Sequence, residues 1–294
     1  MAEIAEVADG IYRLSLLRPP RGCVIHFIAG ERTSLIETGP AVIIPGLLDS
    51  IRQLGYDPAK LDYIFLTHIH LDHAGGVGTF ARQFPQVKVF VHPRGARHLV
   101  DPSRLIVDTK RAYGEKFEDQ YGFILPVSEG QVRTLEDGEV ISLGNRELRV
   151  IYAPGHCAHQ MCFYDSKSEG LFSGDAIAAF GSNILLPGAD SDLDAIIETH
   201  DKLLRLNPRI AFTSHRGALS DGLSAHIQAV RDNTKNCGDI ILEALRAGEE
   251  QEQIARKIGS YEKEFIPAEY RLGAEELGNV ISWYRNYFKK KGLA

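Results

Sequence analysis

Five histidines and two aspartates are spaced as ligands to metal ions would be. The densest group is His68-Ile69-His70-Leu71-Asp72-His73. In an extended backbone, residues i and i+2 project to the same side, so His68 and His70 can share one ion. A tight turn must follow before Ala74-Gly75-Gly76, and it can swing Asp72 and His73 toward a second ion. Farther along, Ala153-Pro154-Gly155-His156 offers His156, Ser173-Gly174-Asp175-Ala176 offers Asp175, and Thr213-Ser214-His215 offers His215. Imidazole with carboxylate suits zinc and, less exclusively, iron or manganese. A carboxylate has two oxygens and can bridge two ions; Asp175 is the candidate. Two such ions lower the pKa of a shared water, so that hydroxide exists near neutral pH and attacks a carbonyl or phosphoryl centre. Asp72 is the catalytic candidate, a carboxylate able to orient that hydroxide or take its proton. The chain has no G-x-S-x-G pattern to suggest a serine nucleophile and no phosphate-binding glycine loop.

The ligand candidates fall at the ends of expected strands. Alternating and apolar runs predict strands over 11–17, 23–29, 33–37, 62–67 and 87–92, then over 139–143, 147–152, 161–165, 170–173 and 210–213. Helical spacing appears over 43–54, 77–84 and 193–206, and residues 103–121 form a polar helical excursion. Strands, then helix, then strand in both halves predict an α/β fold of two sheets packed face to face, a four-layer αββα sandwich. From about residue 222 no strand pattern remains, and apolar residues recur at helical spacing to the end. The expected organisation is a catalytic domain over 1–221. Residues 222–294 would be a helical C-terminal extension that packs on it and helps cover the active site.

Composition narrows the classes. Of 294 residues, 44% are hydrophobic and 24% charged, which excludes a disordered or fibrous chain. A net charge of −6 gives no bulk attraction for nucleic acid. Four cysteines without paired C-x-x-C spacing read as free thiols in a reducing compartment. The opening MAEIAEVADGIYRL has no apolar signal region, and no apolar stretch reaches the length of a membrane span. A cytoplasmic protein without membrane or nucleic-acid partners is expected; a homodimer stays open.

The ordered set T-H-x-H-x-D-H, P-G-H, G-D-A and S-H resembles the metallo-β-lactamase superfamily of metallohydrolases over roughly residues 10–220. The resemblance implies the αββα fold and two divalent ions, zinc ahead of iron or manganese. It implies His68, His70 and His156 on one ion, Asp72, His73 and His215 on the other, and Asp175 bridging. The intact His70 departs from the flavodiiron branch, which has a glutamate there. Glu37-Thr38-Gly39 stands where the family usually has Asp-Thr-Gly; Glu37 then supports a ligand histidine from behind the site. Cys157 and His159 stand where the family often has Thr and then Gly after His156. Cys157 reads as a packed residue, and His159 as a local hydrogen-bonding group or a substrate or proton group.

The helical tail is similar to that of glyoxalase II and related thioesterases. The stretches QMCFYD and LFSGDAIAAF are similar to the quinolone-signal response thioesterase, while SHRG departs from the glyoxalase II ending. These likenesses imply a hydrolase of ester-type bonds, first a thioester of coenzyme A or glutathione. A lactonase or phosphodiesterase would use the same site. An iron-dependent persulfide dioxygenase or another di-iron oxygen-binding protein is the alternative of a different class, and binding without catalysis a third. The substrate is expected to be a small anion drawn to a cationic pocket. The excursion at 103–121 and the loop after Asp175, with Phe180 and Asn183, should rim that pocket. Tyr113, Phe117 and Tyr121 either line an acyl slot or pack their helix onto the sandwich. Lys110 and Arg111 either receive an anionic group or are solvated helix charges.

Overall fold

The computed structural model describes residues 2–17, 22–178, 190–215, 217–265, 268, 271 and 273–294, and omits the side chains of Ala112, Tyr113 and Glu276. The chain divides into two compact units. The first comprises Met1–Tyr152, His159–Gly174 and Arg209–Ser220, and it contains both sheets.

Seven strands form the first sheet in chain order: β1 (Glu3–Ala8), β2 (Ile11–Leu17), β3 (Gly22–Ile28), β4 (Ser34–Ile36), β5 (Tyr63–Phe65), β6 (Lys88–Val91) and β7 (Val132–Thr134). β1 to β4 make an antiparallel meander, whereas β4 to β7 pair in parallel and need crossovers. The second sheet runs β13 (Gly217–Leu219), β12 (Ile210–Thr213), β11 (Gly170–Gly174), β10 (Met161–Asp165), β9 (Glu147–Tyr152), β8 (Val140–Ser142). The inner faces meet in one apolar layer: Ile36, Phe65 and Phe90 from the first sheet, and Val150, Met161, Phe163, Phe172 and Phe212 from the second. Phe65 stacks on Phe90 at 4.7 Å and meets Phe163 edge-on at 5.3 Å. Each such ring taken out of water contributes roughly 1.5–3 kcal/mol.

The outer face of the first sheet is covered by α1 (Ile44–Gln53) and α3 (Val77–Gln83), which bury Leu47, Ile51, Val77 and Phe80 against Leu35, Ile64 and Val89. Between them lies a single turn, α2 (Leu71–Ala74). After β6 comes α4 (Pro93–Val100), which the periodicity does not reveal, as it does not reveal β1, β7 or β13. The excursion expected at 103–121 is α5 (Ser103–Tyr113), a 3₁₀ turn at Gly114–Lys116, and α6 (Phe117–Tyr121). Gly114 breaks it at φ 57°, a conformation that costs a side chain-bearing residue strain.

The second unit comprises Ala153–Ala158, Asp175–Pro208 and Asp221–Ala294. Its helices are α7 (Leu193–Leu206), α8 (Leu223–Arg246), α9 (Gln251–Phe265) and α10 (Ala274–Lys290). Apolar residues three and four apart on α8 (Ile227, Val230, Cys237, Ile241, Ala244) form its buried stripe. Cys237, Ile241 and Ala244 join Ile254, Ile258, Ile281 and Tyr284 in one core. Gly238 lets Leu193 approach: a Cβ there would lie 2.7 Å from Leu193 Cδ2. All four cysteines are free thiols. Among the described residues no helix is long and apolar enough to cross a membrane.

Candidate metal centre

β5 is short, central and parallel to both neighbours, so its C-terminal end opens at a sheet edge shared with β4 and β6. The Leu66 amide still pairs with the Phe90 carbonyl at 2.9 Å, after which the chain leaves the sheet. The His70 carbonyl accepts the amides of His73 (3.0 Å) and Ala74 (2.8 Å), closing the α2 turn. This fold of the chain gathers the ligand candidates of the first unit. His68 and His73 are fully buried with ring centres 4.0 Å apart. His68 Nε2 lies 3.1 Å from His70 Nδ1. Asp72 Oδ2 lies 3.6 Å from His73 Nε2 and 3.9 Å from His215 Nε2. Asp72, His73 and His215 thus present three donor atoms within 4.8 Å of one another.

Glu37 organises this turn. Its carboxylate pairs with His73 Nδ1 at 2.9 Å and accepts a hydrogen bond from the Thr67 hydroxyl. Burial alone would raise its pKa; His73 and hydrogen bonds from His73, Thr67 and Ser214 outweigh this and hold it below the ordinary value. Glu37 therefore stays ionised and accepts only, so His73 carries its proton on Nδ1 and turns Nε2 toward Asp72. Thr67 Oγ1, having given its proton to Glu37, accepts from His68 Nδ1 at 3.1 Å, which leaves Nε2 of His68 facing His70. One carboxylate thereby fixes the tautomers of two candidate ligands, one directly and one through a hydroxyl. The arrangement is held at a backbone cost: Glu37 adopts φ 70°, in the left-handed region. The amides of Thr38 and Gly39 both bind the His73 carbonyl at 2.9 Å, which ties the strained turn to the ligand it serves.

His215 is oriented from β3. Its Nδ1 donates to the Gly22 carbonyl at 3.2 Å, while the Val24 amide binds the Ser214 carbonyl at 2.8 Å. A carbonyl can only accept, so His215 too presents Nε2 to Asp72. The donors are imidazole nitrogens and a carboxylate oxygen with their far sides already satisfied. That set fits zinc, iron or manganese.

His159 stacks 6.3 Å from His68 and lies 5.8 Å from His70. Burial first, then the neighbouring His70 and His92, push its pKa down to about 3, so it is neutral. His92, at the N-terminus of α4, lies 4.4 Å from the Tyr152 ring. The motifs do not single out His92, although it ends a predicted strand parallel to the ligand-bearing one.

In the second unit, His156 Nε2 and Asp175 Oδ2 face each other at 3.7 Å. The loop carrying His156 is held by its carbonyls: Thr199 Oγ1 donates to Pro154 (2.6 Å), the Asp192 amide to Gly155 (2.8 Å), and Ser191 Oγ to His156 (2.9 Å). Gly155 has φ 143°, and a Cβ there would lie 2.8 Å from the Ile196 backbone, so α7 can approach only a glycine.

The pocket candidates fare differently. Phe117 and Tyr121 are buried with Leu71, the residue between His70 and Asp72, and brace the α2 turn. The Tyr113 side chain, Phe180 and Asn183 lie outside the described residues. Lys110 is tied to Glu118 at 3.4 Å and lies over the Phe117 ring.

Comparison with known proteins agrees with this fold. A metallo-beta-lactamase family protein from Thermus thermophilus superimposes with a TM-score of 0.74 at 21% identity, over 98% of this chain and 95% of that one. Its likeness fixes the overall architecture as the αββα sandwich with C-terminal helices. Among curated relatives, an atrochrysone carboxyl ACP thioesterase of Aspergillus fumigatus is 26% identical over 64% of this chain and 48% of its own length. A hydroxyacylglutathione hydrolase of Maricaulis maris is 29% identical over 58% of this chain and 53% of its own. The chain thus spans about half the length of these two relatives. Residues 18–215 match the metallo-beta-lactamase superfamily, and the chain belongs to that superfamily.

Proposed function

We propose that the protein hydrolyses thioesters at a dinuclear metal centre. The observation that carries the reading is the trio of Asp72, His73 and His215, with both histidines turned by fixed hydrogen bonds to present Nε2. Following the sequence motifs, His68, His70 and His156 would hold one ion and Asp72, His73 and His215 the other, with Asp175 as the ligand they would share. Two bound divalent ions supply Lewis acidity and lower the pKa of water.

The chain's own residues divide the remaining work. Glu37, buried and held ionised, is a fixed negative charge that sets ligand tautomers and does not exchange protons with substrate. Asp72 differs: its side chain is 32% exposed, so it is the carboxylate able to orient an attacking water and accept its proton. His159, neutral beside His70, is placed to donate or accept one hydrogen bond at the rim without adding charge. The thioester preference rests on the two thioester-cleaving relatives and on the net charge of −6, which gives no bulk attraction for a nucleic-acid phosphodiester.

Metal analysis of protein purified without added ions, followed by a substrate panel, tests the reading. Two ions per chain and faster turnover of acyl thioesters than of lactones or phosphodiesters are expected. One iron per chain with oxygen consumed on a persulfide would overturn it. Faster turnover of lactones would keep the centre and change the bond.

A further inference from the structure

α4 packs directly on the ligand-bearing turn of the first unit. Phe65 pairs with Phe90 in parallel register, so β6 ends beside the strand that leads to His68. Ile69, the residue between His68 and His70, lies against α4 where Gly95 has no side chain: a Cβ there would be 2.9 Å from Ile69 Cγ2 and 3.0 Å from Val91 Cγ2. His92 and His98 of the same segment are close enough to His159 to depress its pKa. The helix is therefore a wall next to the centre.

That wall is positively charged on its open side. α4 contains no acidic residue, and Arg94 and Arg97 are both exposed. Residues at i and i+3 share a helix face, with Cβ atoms about 5–6 Å apart. Among the described residues neither arginine has an ion pair; Arg97 Nε donates to His98 Nε2 at 3.1 Å. Of the nearby charges, Arg104 pairs with Asp108 at 3.6 Å and Lys110 with Glu118, while Asp101, ionised and hydrogen-bonded to the amide and hydroxyl of Ser103, is turned to the next helix rather than ion-paired with either arginine. Two guanidinium forks on one face, in an otherwise acidic chain, match a phosphate group.

Building on the thioesterase reading, we propose that Arg94 and Arg97 bind the phosphate-bearing handle of a coenzyme A leaving thiol. A phosphomonoester carries about −1.5 to −2 charge near neutral pH, and coenzyme A adds a diphosphate to it. Glutathione offers two carboxylates offset by an ammonium, a weaker match to two exposed guanidinium groups without an ion pair. The arginines recognise the thiol that departs rather than the acyl group, so they govern KM on coenzyme A substrates rather than the chemical step.

The test compares one acyl group on four thiols, coenzyme A, glutathione, N-acetylcysteamine and an acyl carrier protein, with the wild type and with R94E/R97E. The ratio of kcat/KM for coenzyme A over N-acetylcysteamine should fall about tenfold or more in the variant, through KM. It should also fall with added salt in the wild type. The lysine pair R94K/R97K should recover part of the ratio. An unchanged ratio overturns the proposal, and so does an equal fall for acyl-glutathione. A loss seen only with an acyl carrier protein thioester would move the handle to a protein and overturn the coenzyme A assignment. Calorimetric binding of coenzyme A itself separates this inference from the reading beneath it. Arginine-dependent binding without thioester turnover would sink the thioesterase reading alone. Turnover with arginine-independent binding would sink this one.

Discussion

The turn at 68–73 in the sandwich unit is organised by buried charge, whereas the His156 loop in the helical unit is organised by backbone carbonyls and one glycine. In the first, an ionised Glu37 at positive φ reaches His73 directly and His68 through Thr67, all three groups being buried. In the second, Thr199, Asp192 and Ser191 bind carbonyls of residues 154–156, while His156 and Asp175 keep side-chain exposures of 15% and 18%. A buried carboxylate fixes which nitrogen is left for a metal, because it can only accept a hydrogen bond. Backbone anchoring fixes where a ligand sits but leaves its ring less constrained. The first turn should therefore hold its shape on its own, and the second should depend more on the ions.

The largest test of that contrast is Asp175→Ala. If Asp175 bridges two ions as proposed, its loss should reduce metal content and lower turnover together, by about a thousandfold or more. Metal quantification alongside thioester kinetics checks it; retained activity would remove Asp175 from the bridging role.

The two units also share an acid sensitivity that can be separated. His26, wedged 5.5 Å from both Phe172 and Phe212, has its pKa lowered to about 4 by burial. His200 in α7 is likewise lowered to about 4 by burial, with Nε2 donating to the Ala176 carbonyl at 3.0 Å. An unfolded histidine titrates near 6.5, so between pH 6.5 and 4 the unfolded chain binds more protons. Stability is thus complete above pH 6.5 and declines as pH falls to 4, by up to about 3 kcal/mol for each group. Hydrogen exchange followed by peptide should show His26→Phe flattening this loss in β3 only, and His200→Gln flattening it in α7 only. A common change in both units would mean that they unfold as one.

Gly155→Ala should destabilise the helical unit by about 2 to 3 kcal/mol, since the new Cβ meets the Ile196 backbone at 2.8 Å. Thermal unfolding of the variant measures it. Glu37→Gln keeps the size of the side chain but removes the fixed charge. Metal affinity, read by competition with a chelator, should weaken about ten- to a hundredfold. An unchanged affinity would show that backbone anchoring alone suffices in the first turn as well. The smallest effect is expected from metal removal itself: exchange should quicken at 153–158 and stay nearly constant at 67–75.

The ligand candidates were legible because their chemistry is local. Alternation along a strand puts His68 and His70 on one side, and a turn must follow wherever a strand ends at Asp72-His73-Ala74-Gly75-Gly76. Strands and helices with strong periodicity, such as β9, β10 and α7, have the boundaries their patterns predict. Aromatic spacing could not tell a slot from a brace, and Phe117 and Tyr121 face Leu71 because packing across α2 decides it. Nor could sequence distance show that residues 153–158 and 175–208 cluster with the C-terminal helices, since that grouping depends on which apolar faces meet.

The sequence by itself supplied the candidate donors and the strand ends that carry them, because both follow from residue type and short-range geometry, and the family resemblance added the acid at position 37. Tertiary structure alone decided which nitrogen His68, His73 and His215 present, that Glu37 serves two of them, and that Arg94 and Arg97 stand on a helix packed against Ile69. Tautomers and charge neighbourhoods are set by partners tens of residues away, brought close only when the parallel strands pair and the helices cover them.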